Sequence, residues 1–189
     1  MVRLPPTGLW RARGESDILG QSQKGLAMAE FVFDRVVDLL KRHGVPFEVS
    51  RHEPVYTSQQ AADVRGTSLA SGAKALVCKG DDRFVLLVLP ADLRLDSKAV
   101  RRAKGWKKLR FADREEVLQL TGLEPGAIPP LGSLFGLPTL CDSRLGDNET
   151  ISFNAGDHCI SISMTYADYL RAERPELGNY AIASETSDQ

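Results

Sequence analysis

Gly72-Ala73-Lys74-Ala75-Leu76-Val77-Cys78-Lys79-Gly80-Asp81-Asp82-Arg83-Phe84-Val85-Leu86-Leu87-Val88-Leu89 is the stretch that decides the fold of this 189-residue chain. Two apolar runs, Ala73 to Cys78 and Phe84 to Leu89, flank the turn-prone segment Lys79 to Arg83, which predicts a β-hairpin with a loop of a few residues. Strand alternation puts Lys74, Leu76 and Cys78 on one face and Ala73, Ala75, Val77 and Lys79 on the other. Lys74 therefore shares a face with apolar neighbours. An ammonium there is expensive unless something anionic or carbonyl-like meets it. Such a lysine suits a phosphate, a scissile carbonyl or an amino-acid head group, and the alternative is a strand-end lysine that snorkels to water.

Outward from the hairpin, short elements follow one another. Phe33, Val36, Val37 and Leu40 have helical spacing, and Gly44 and Pro46 stop that helix behind the dipole-complementing Lys41, Arg42 and His43. Phe47 to Arg51 alternates like a strand. Thr57-Ser58-Gln59-Gln60 has capping-box spacing and opens a helix that ends near Gly66. Beyond the hairpin, Asp96 or Ser97 caps a helix that reaches Lys104 and ends at Gly105. A strand at Lys108 to Phe111 and a helix from Asp113 to Leu120 come next, and Thr121 to Leu134 reads as a loop. Strands at Thr139 to Asp142, Thr150 to Phe153 and His158 to Met164 precede a helix capped by Thr165. Hairpins among scattered helices predict an α+β domain on a mixed, mostly antiparallel sheet or barrel surrounded by helices.

Residues 1–23 lack apolar periodicity and read as irregular, with Met28 an alternative start; the polar end from Ser184 reads as frayed. The expected division is an N-terminal extension at 1–28, one domain at 29–178 and a C-terminal tail at 179–189. At 42% hydrophobic the chain is long enough for one buried core. Its 24 basic and 25 acidic residues leave a net charge of -1, so no global field marks a nucleic-acid binder. Cys78, Cys141 and Cys159 are odd in number and far apart, which suits reduced thiols rather than disulfides or a metal. No apolar run approaches the ~18 residues of a membrane span, and a cytoplasmic location is expected. His43, His52 and His158 share no metal-binding spacing, so no metal or cofactor is expected.

Chemistry concentrates in three further places. In Gly126-Ala127-Ile128-Pro129-Pro130-Leu131-Gly132, glycine permits close backbone approach and proline fixes the loop, so amides can be held ready for a carbonyl or a terminal ribose. By itself Gly-x-x-x-Pro marks only a turn. Asn154-Ala155-Gly156-Asp157-His158 places a histidine at the end of an apolar strand face, where a structural role is the plain alternative to catalysis. Between Arg94 and Arg110 stand eight bases, among them Lys98, Arg101, Arg102, Lys104, Lys107 and Lys108, against the single acid Asp96. Such a run is either a solvated helix face or a patch suited to the phosphates of a nucleic acid. There is no Gly-x-Ser-x-Gly elbow, P-loop or dinucleotide fingerprint.

A strand lysine in Lys-x-Leu-Val, then the Gly-x-x-x-Pro loop, the Pro138-Thr139-Leu140-Cys141-Asp142 strand and Asn154 to His158 together resemble the YbaK and prolyl-tRNA synthetase editing-domain family, from about Phe31 to about Leu170. The resemblance implies hydrolysis of mischarged aminoacyl-tRNA by positioned water, helped by the ribose hydroxyl of the tRNA. It implies Lys74, Gly126, Pro130 and His158 as catalytic, with Tyr56, Ile128, Leu131, Gly132, Asp142 and Gly156 lining the substrate. It implies a small amino acid such as alanine or cysteine, carried on tRNA for proline, and prolyl-tRNA synthetase as a further partner. Asp142 as a strand-end cap and Tyr56 as core packing are the alternatives. So, for the whole protein, are a non-catalytic tRNA- or synthetase-binding module and a small-molecule binder using the same pocket.

Overall fold

The computed structural model describes residues 15–184. The chain runs through α1 (Glu15–Arg42), β1 (Glu48–Arg51), α2 (Ser58–Arg65), β2 (Ala73–Gly80), β3 (Arg83–Pro90) and β4 (Leu93–Leu95). It continues through α3 (Ser97–Lys104), β5 (Leu109–Phe111), α4 (Arg114–Thr121), β6 (Thr139–Asp142) and β7 (Thr150–Asn154). The last elements are β8 (Ile160–Thr165), α5 (Tyr166–Glu173), β9 (Glu176–Gly178) and β10 (Ala181–Ala183).

The expected hairpin is the centre of the molecule. β2 and β3 pair antiparallel along their full length, from Ala73 opposite Pro90 to Gly80 opposite Arg83, so only Asp81 and Asp82 form the turn. Asp81 adopts φ 48°, the left-handed backbone such tight turns require. A sheet of order β5-β2-β3-β6-β9 grows from this pair, with β3–β6 and β6–β9 parallel and the rest antiparallel. β3 is central and buried on both faces, which is why its sequence is a continuous apolar run rather than an alternating one. On one face Ala73, Val77, Leu86 and Val88 join the main core with α1, α5 and the antiparallel sheet β1-β8-β7. On the other, Cys78, Val85, Leu87 and Leu89 pack with Val100 of α3, Tyr180 and Ala181. A bridge from Gly72 to Ser152 ties the start of β2 to β7. That bridge brings the lysine end of β2 beside Asn154 and α2.

Local signals act as the sequence suggests. Thr57 and Gln60 form a complete capping box, Asp96 caps α3, Asp113 and Glu116 box α4, and Thr165 caps α5. Gly66 and Gly105 close α2 and α3 in the left-handed conformation.

Five expectations are corrected. Helix α1 reaches back to Glu15, so 15–23 is helical rather than irregular; residues 1–14 lie outside the described residues. A helix anchored at one end by packing propagates without periodicity of its own. The expected tail at 179–189 is part of the fold as far as Ala183, because β10 pairs with β4 and buries Tyr180 and Ala181; residues 185–189 lie outside the described residues. Three-residue strands around a Gly-Asn-Tyr turn carry too little alternation to read. Gly132–Phe135 is a 3-10 turn inside the expected loop, and β8 begins at Ile160, leaving His158 in the turn before it. Among the described residues the strands form open sheets, not a barrel.

Candidate active site

A cavity of about 240 Å³ lies where β2, β7, α2 and the loop after α4 meet. Lys74, Tyr56, Gly126, Ile128 and His158, five of the expected site residues, all line it. The Lys74 ammonium donates to the carbonyls of Leu93 at 2.6 Å and, more weakly, Ala91 at 3.4 Å. Both acceptors are neutral and belong to the β3–β4 corner, so one N–H of the three is left for a ligand. Burial lowers the lysine pKa, and the charge of nearby Asp92 works against that shift. Asp92 Oδ1 is itself buried without a hydrogen-bond partner.

The loop reduces to fewer donors than its length suggests. Pro129 and Pro130 have no N–H, and the Ala127 amide is spent on the Glu124 carbonyl at 3.1 Å. The amides of Gly126 and Ile128 bond to no described residue, and both residues line the cavity. Gly126 sits at φ 92°, and a β-carbon there would lie 2.9 Å from His158 Cε1. Glycine is therefore required twice over, for its backbone angle and for the histidine beside it. His158 Nδ1 lies 2.9 Å from the Val55 carbonyl. A carbonyl only accepts, so Nδ1 carries the proton and Nε2 of the neutral ring is left with a lone pair. The Tyr56 ring packs over the imidazole with centroids 4.9 Å apart, and at 74% exposure Tyr56 is a cavity wall rather than core packing.

Two residues that the sequence reading gave no site role, Arg65 and Asn154, complete the wall. Arg65, at the end of α2, donates from Nε to Ser161 Oγ at 2.9 Å and from Nη2 to Asn154 Oδ1 at 2.6 Å. Asn154 in turn donates from Nδ2 to the Gly126 carbonyl at 2.8 Å. Asn154 stood inside the Asn-Ala-Gly-Asp-His segment; Arg65 carried no local signal beyond being a helix-end base.

The remaining expected site residues lie away from the cavity. Pro130 is buried and its carbonyl accepts from Tyr169 Oη at 3.0 Å. Leu131 is core, and the Gly132 amide donates to Thr139 Oγ1 at 3.2 Å. Gly156, at φ 92°, lets its turn approach α1, where a β-carbon would meet the Ala29 carbonyl. Asp142 is fully buried and accepts from Arg144 and from the amides of Tyr180 and Ala181, both at 2.7 Å. It pins β10 to β6. Burial alone would raise its pKa, but those hydrogen bonds hold the carboxyl below its usual value.

The basic run forms a shallow surface at α3 and β5. Arg101 caps back onto the Ser97 and Lys107 carbonyls, and Asp81 fixes the Lys107 and Lys108 amides, so the turn bearing those lysines is rigid. Lys104 is committed to Glu176 at 2.6 Å, and Arg110 to Glu116 through two bonds of 2.6 Å.

Comparison with known proteins adds independent findings. A model of the aminoacyl-tRNA editing domain matches residues 52–172. The chain belongs to the aminoacyl-tRNA editing domain family. It is 37% identical over 160 residues to the multifunctional Ser/Thr-tRNA deacylase ProXp-y of Escherichia coli strain K12, covering 82% of this chain and 96% of that relative. It is 29% identical over 103 residues to the proline–tRNA ligase of Trichlorobacter lovleyi, half of this chain but 18% of the ligase. A crystal structure of a candidate trans-editing enzyme for prolyl tRNA synthetase superposes with a TM-score of 0.73 at 25% identity, covering 80% of this chain and 98% of that one. The α+β fold and the editing family expected from the sequence are both upheld by these matches.

Proposed function

We propose that this protein is a free-standing editing deacylase that hydrolyses the ester between a small wrong amino acid and the 3′ end of a tRNA. The observation that carries the reading is the single small cavity shared by Lys74, the Gly126 loop and His158. At about 240 Å³ the cavity is of a size that suits a small aminoacyl ester. In the proposed reaction the ester carbonyl points at the free N–H of Lys74 and the unpaired amides of Gly126 and Ile128. Those donors stabilise the oxyanion that forms when water attacks. His158 Nε2 accepts a proton from that water directly or through the terminal ribose hydroxyl. It returns the proton to the ribose oxygen as the ester carbon–oxygen bond breaks, releasing the amino acid, and Tyr56 covers the ring.

The resemblance to prolyl editing domains suggests alanine or cysteine on tRNA for proline, and the E. coli relative's name adds serine and threonine. Hydroxyls of Thr57, Ser58, Ser68 and Ser152 along the cavity suit the latter pair, since they offer hydrogen bonds to a side-chain OH. The acceptor stem would lie across Lys98, Arg101, Arg102, Lys107 and Lys108, with prolyl-tRNA synthetase as the protein partner and the cytoplasm as the site of action. Editing by hydrolysis is needed because a synthetase pocket separates small analogues by only ~1–3 kcal/mol. A deacylation panel over alanyl-, cysteinyl-, seryl- and threonyl-tRNA tests the proposal: release of at least one amino acid well above the uncatalysed rate is expected. Tight tRNA binding with no release from any of the four would replace the enzyme by a binding module.

A further inference from the structure

Arg65 is a partly buried guanidinium whose charge, among the described residues, meets no carboxylate; burial lowers its pKa to about 10, so it stays protonated at neutral pH. A desolvated cation held only by neutral groups is a poor way to join two elements. Its bonds nevertheless form a directed chain. A guanidinium only donates, so Asn154 must turn Oδ1 toward Arg65, which forces Nδ2 toward the Gly126 carbonyl. Fixing that carbonyl fixes the peptide plane of Gly126 and Ala127, in the loop whose Gly126 and Ile128 amides are unpaired. On the other side the same glycine abuts His158 Cε1. The loop is thus clamped between Asn154 and the imidazole.

We propose that Arg65 is a positioning residue: acting through Asn154, it sets the orientation of the Gly126 loop and so of the amides that meet the ester. The inference rests on the deacylase reading. Arg65 need not touch the ester, and its effect should vanish when Asn154 is absent.

The decisive variant is Asn154→Asp. It is isosteric and still accepts from Arg65, now as an ion pair, but it has no hydrogen to give the Gly126 carbonyl. The melting temperature should hold or rise, while the single-turnover deacylation rate falls at least tenfold with little change in tRNA affinity, and amide exchange at 126–128 should quicken. Arg65→Met should lower the rate in the wild-type background and add nothing in an Asn154→Ala background, because the two act in series. Arg65→Lys, which keeps the charge but loses the fork, is measured beside it so that a folding defect in Arg65→Met does not decide the outcome. A wild-type rate in Asn154→Asp, or additive losses in the double variant, overturns the inference. A wild type silent on every tRNA of the panel overturns the function instead. Exchange then still decides the loop: unchanged protection at 126–128 in Asn154→Asp sinks the positioning role.

Discussion

Gly126→Ala separates the cost of strain from the cost of lost chemistry. At φ 92° the new methyl group costs about 1–2 kcal/mol of backbone strain in an L residue. It would also stand 2.9 Å from His158 Cε1, tighter than real β-carbons come, so the ring or the loop must move. Moving the ring weakens the Nδ1 bond to Val55, a loss of about 0.5–1.5 kcal/mol. Together these give about 1.5–3.5 kcal/mol, well inside the 5–15 kcal/mol typical of a folded domain. At about 2–4 °C per kcal/mol for a chain of this size, the melting temperature should fall by roughly 3–14 °C. Catalysis should suffer more. If the loop amide is displaced from the oxyanion, the rate falls about 100–1000-fold, as loss of one such donor does elsewhere. The assay is single-turnover deacylation at saturating enzyme, so that weakened tRNA binding does not masquerade as lost chemistry, alongside thermal melting. A variant that melts lower yet cleaves at the wild-type rate would refute the role given to these amides.

The other predictions use the same paired readout. Lys74→Met should abolish deacylation without lowering the melting temperature at neutral pH, since burial disfavours the charged lysine; retained turnover would remove Lys74 from the mechanism. Because the folded-state pKa is depressed, the unfolded chain holds that proton more tightly. Wild-type stability should therefore rise, relative to Lys74→Met, as pH climbs through the lowered pKa toward 10.5, while activity falls over the same window. Asp142→Ala should cost about 3–5 kcal/mol by stranding Arg144 and two amides, yet leave the rate per folded molecule unchanged. The stability Asp142 confers is present above its unfolded pKa of about 3.9 and lost as pH falls through the lower folded value, which acid titration of melting would detect. Lys98→Glu with Arg102→Glu should weaken tRNA binding and cut the salt slope by about one per lost phosphate contact, and Lys104→Ala should do less because Glu176 already holds it; equal effects would place the tRNA elsewhere.

What was legible in the sequence is what short-range physics dictates. The hairpin, the capping box at Thr57, the helix start at Asp113 and the two faces of β2 depend on residues within a few positions of one another, and each formed as read. The misreadings fall where partners are distant. β10 exists because β4 and the Asp142 carboxylate wait for it, and neither is visible from Ala181-Ile182-Ala183. For Asp142 the resemblance implies a substrate-lining acid and the strand end offers a cap; the fold shows the cap, with further partners 38 and 39 residues on that the sequence does not reveal.

The site divides along the same line. Lys74, Gly126 and His158 became candidates because the family resemblance adds to their context: alone, the lysine could snorkel, the glycine could mark a turn and the histidine could be structural. Arg65 has no such context, because a base at a helix C-terminus is the ordinary complement of the dipole. Its meaning lies in a contact 89 residues away, and that of Asn154 in one 28 residues back. A residue that binds substrate must present unusual chemistry where it stands, whereas a residue that positions another can look commonplace, because its requirement is geometric. The loop glycine and Asn154 both stood in stretches the sequence singles out, but the contacts that join them to each other and to Arg65 did not show there.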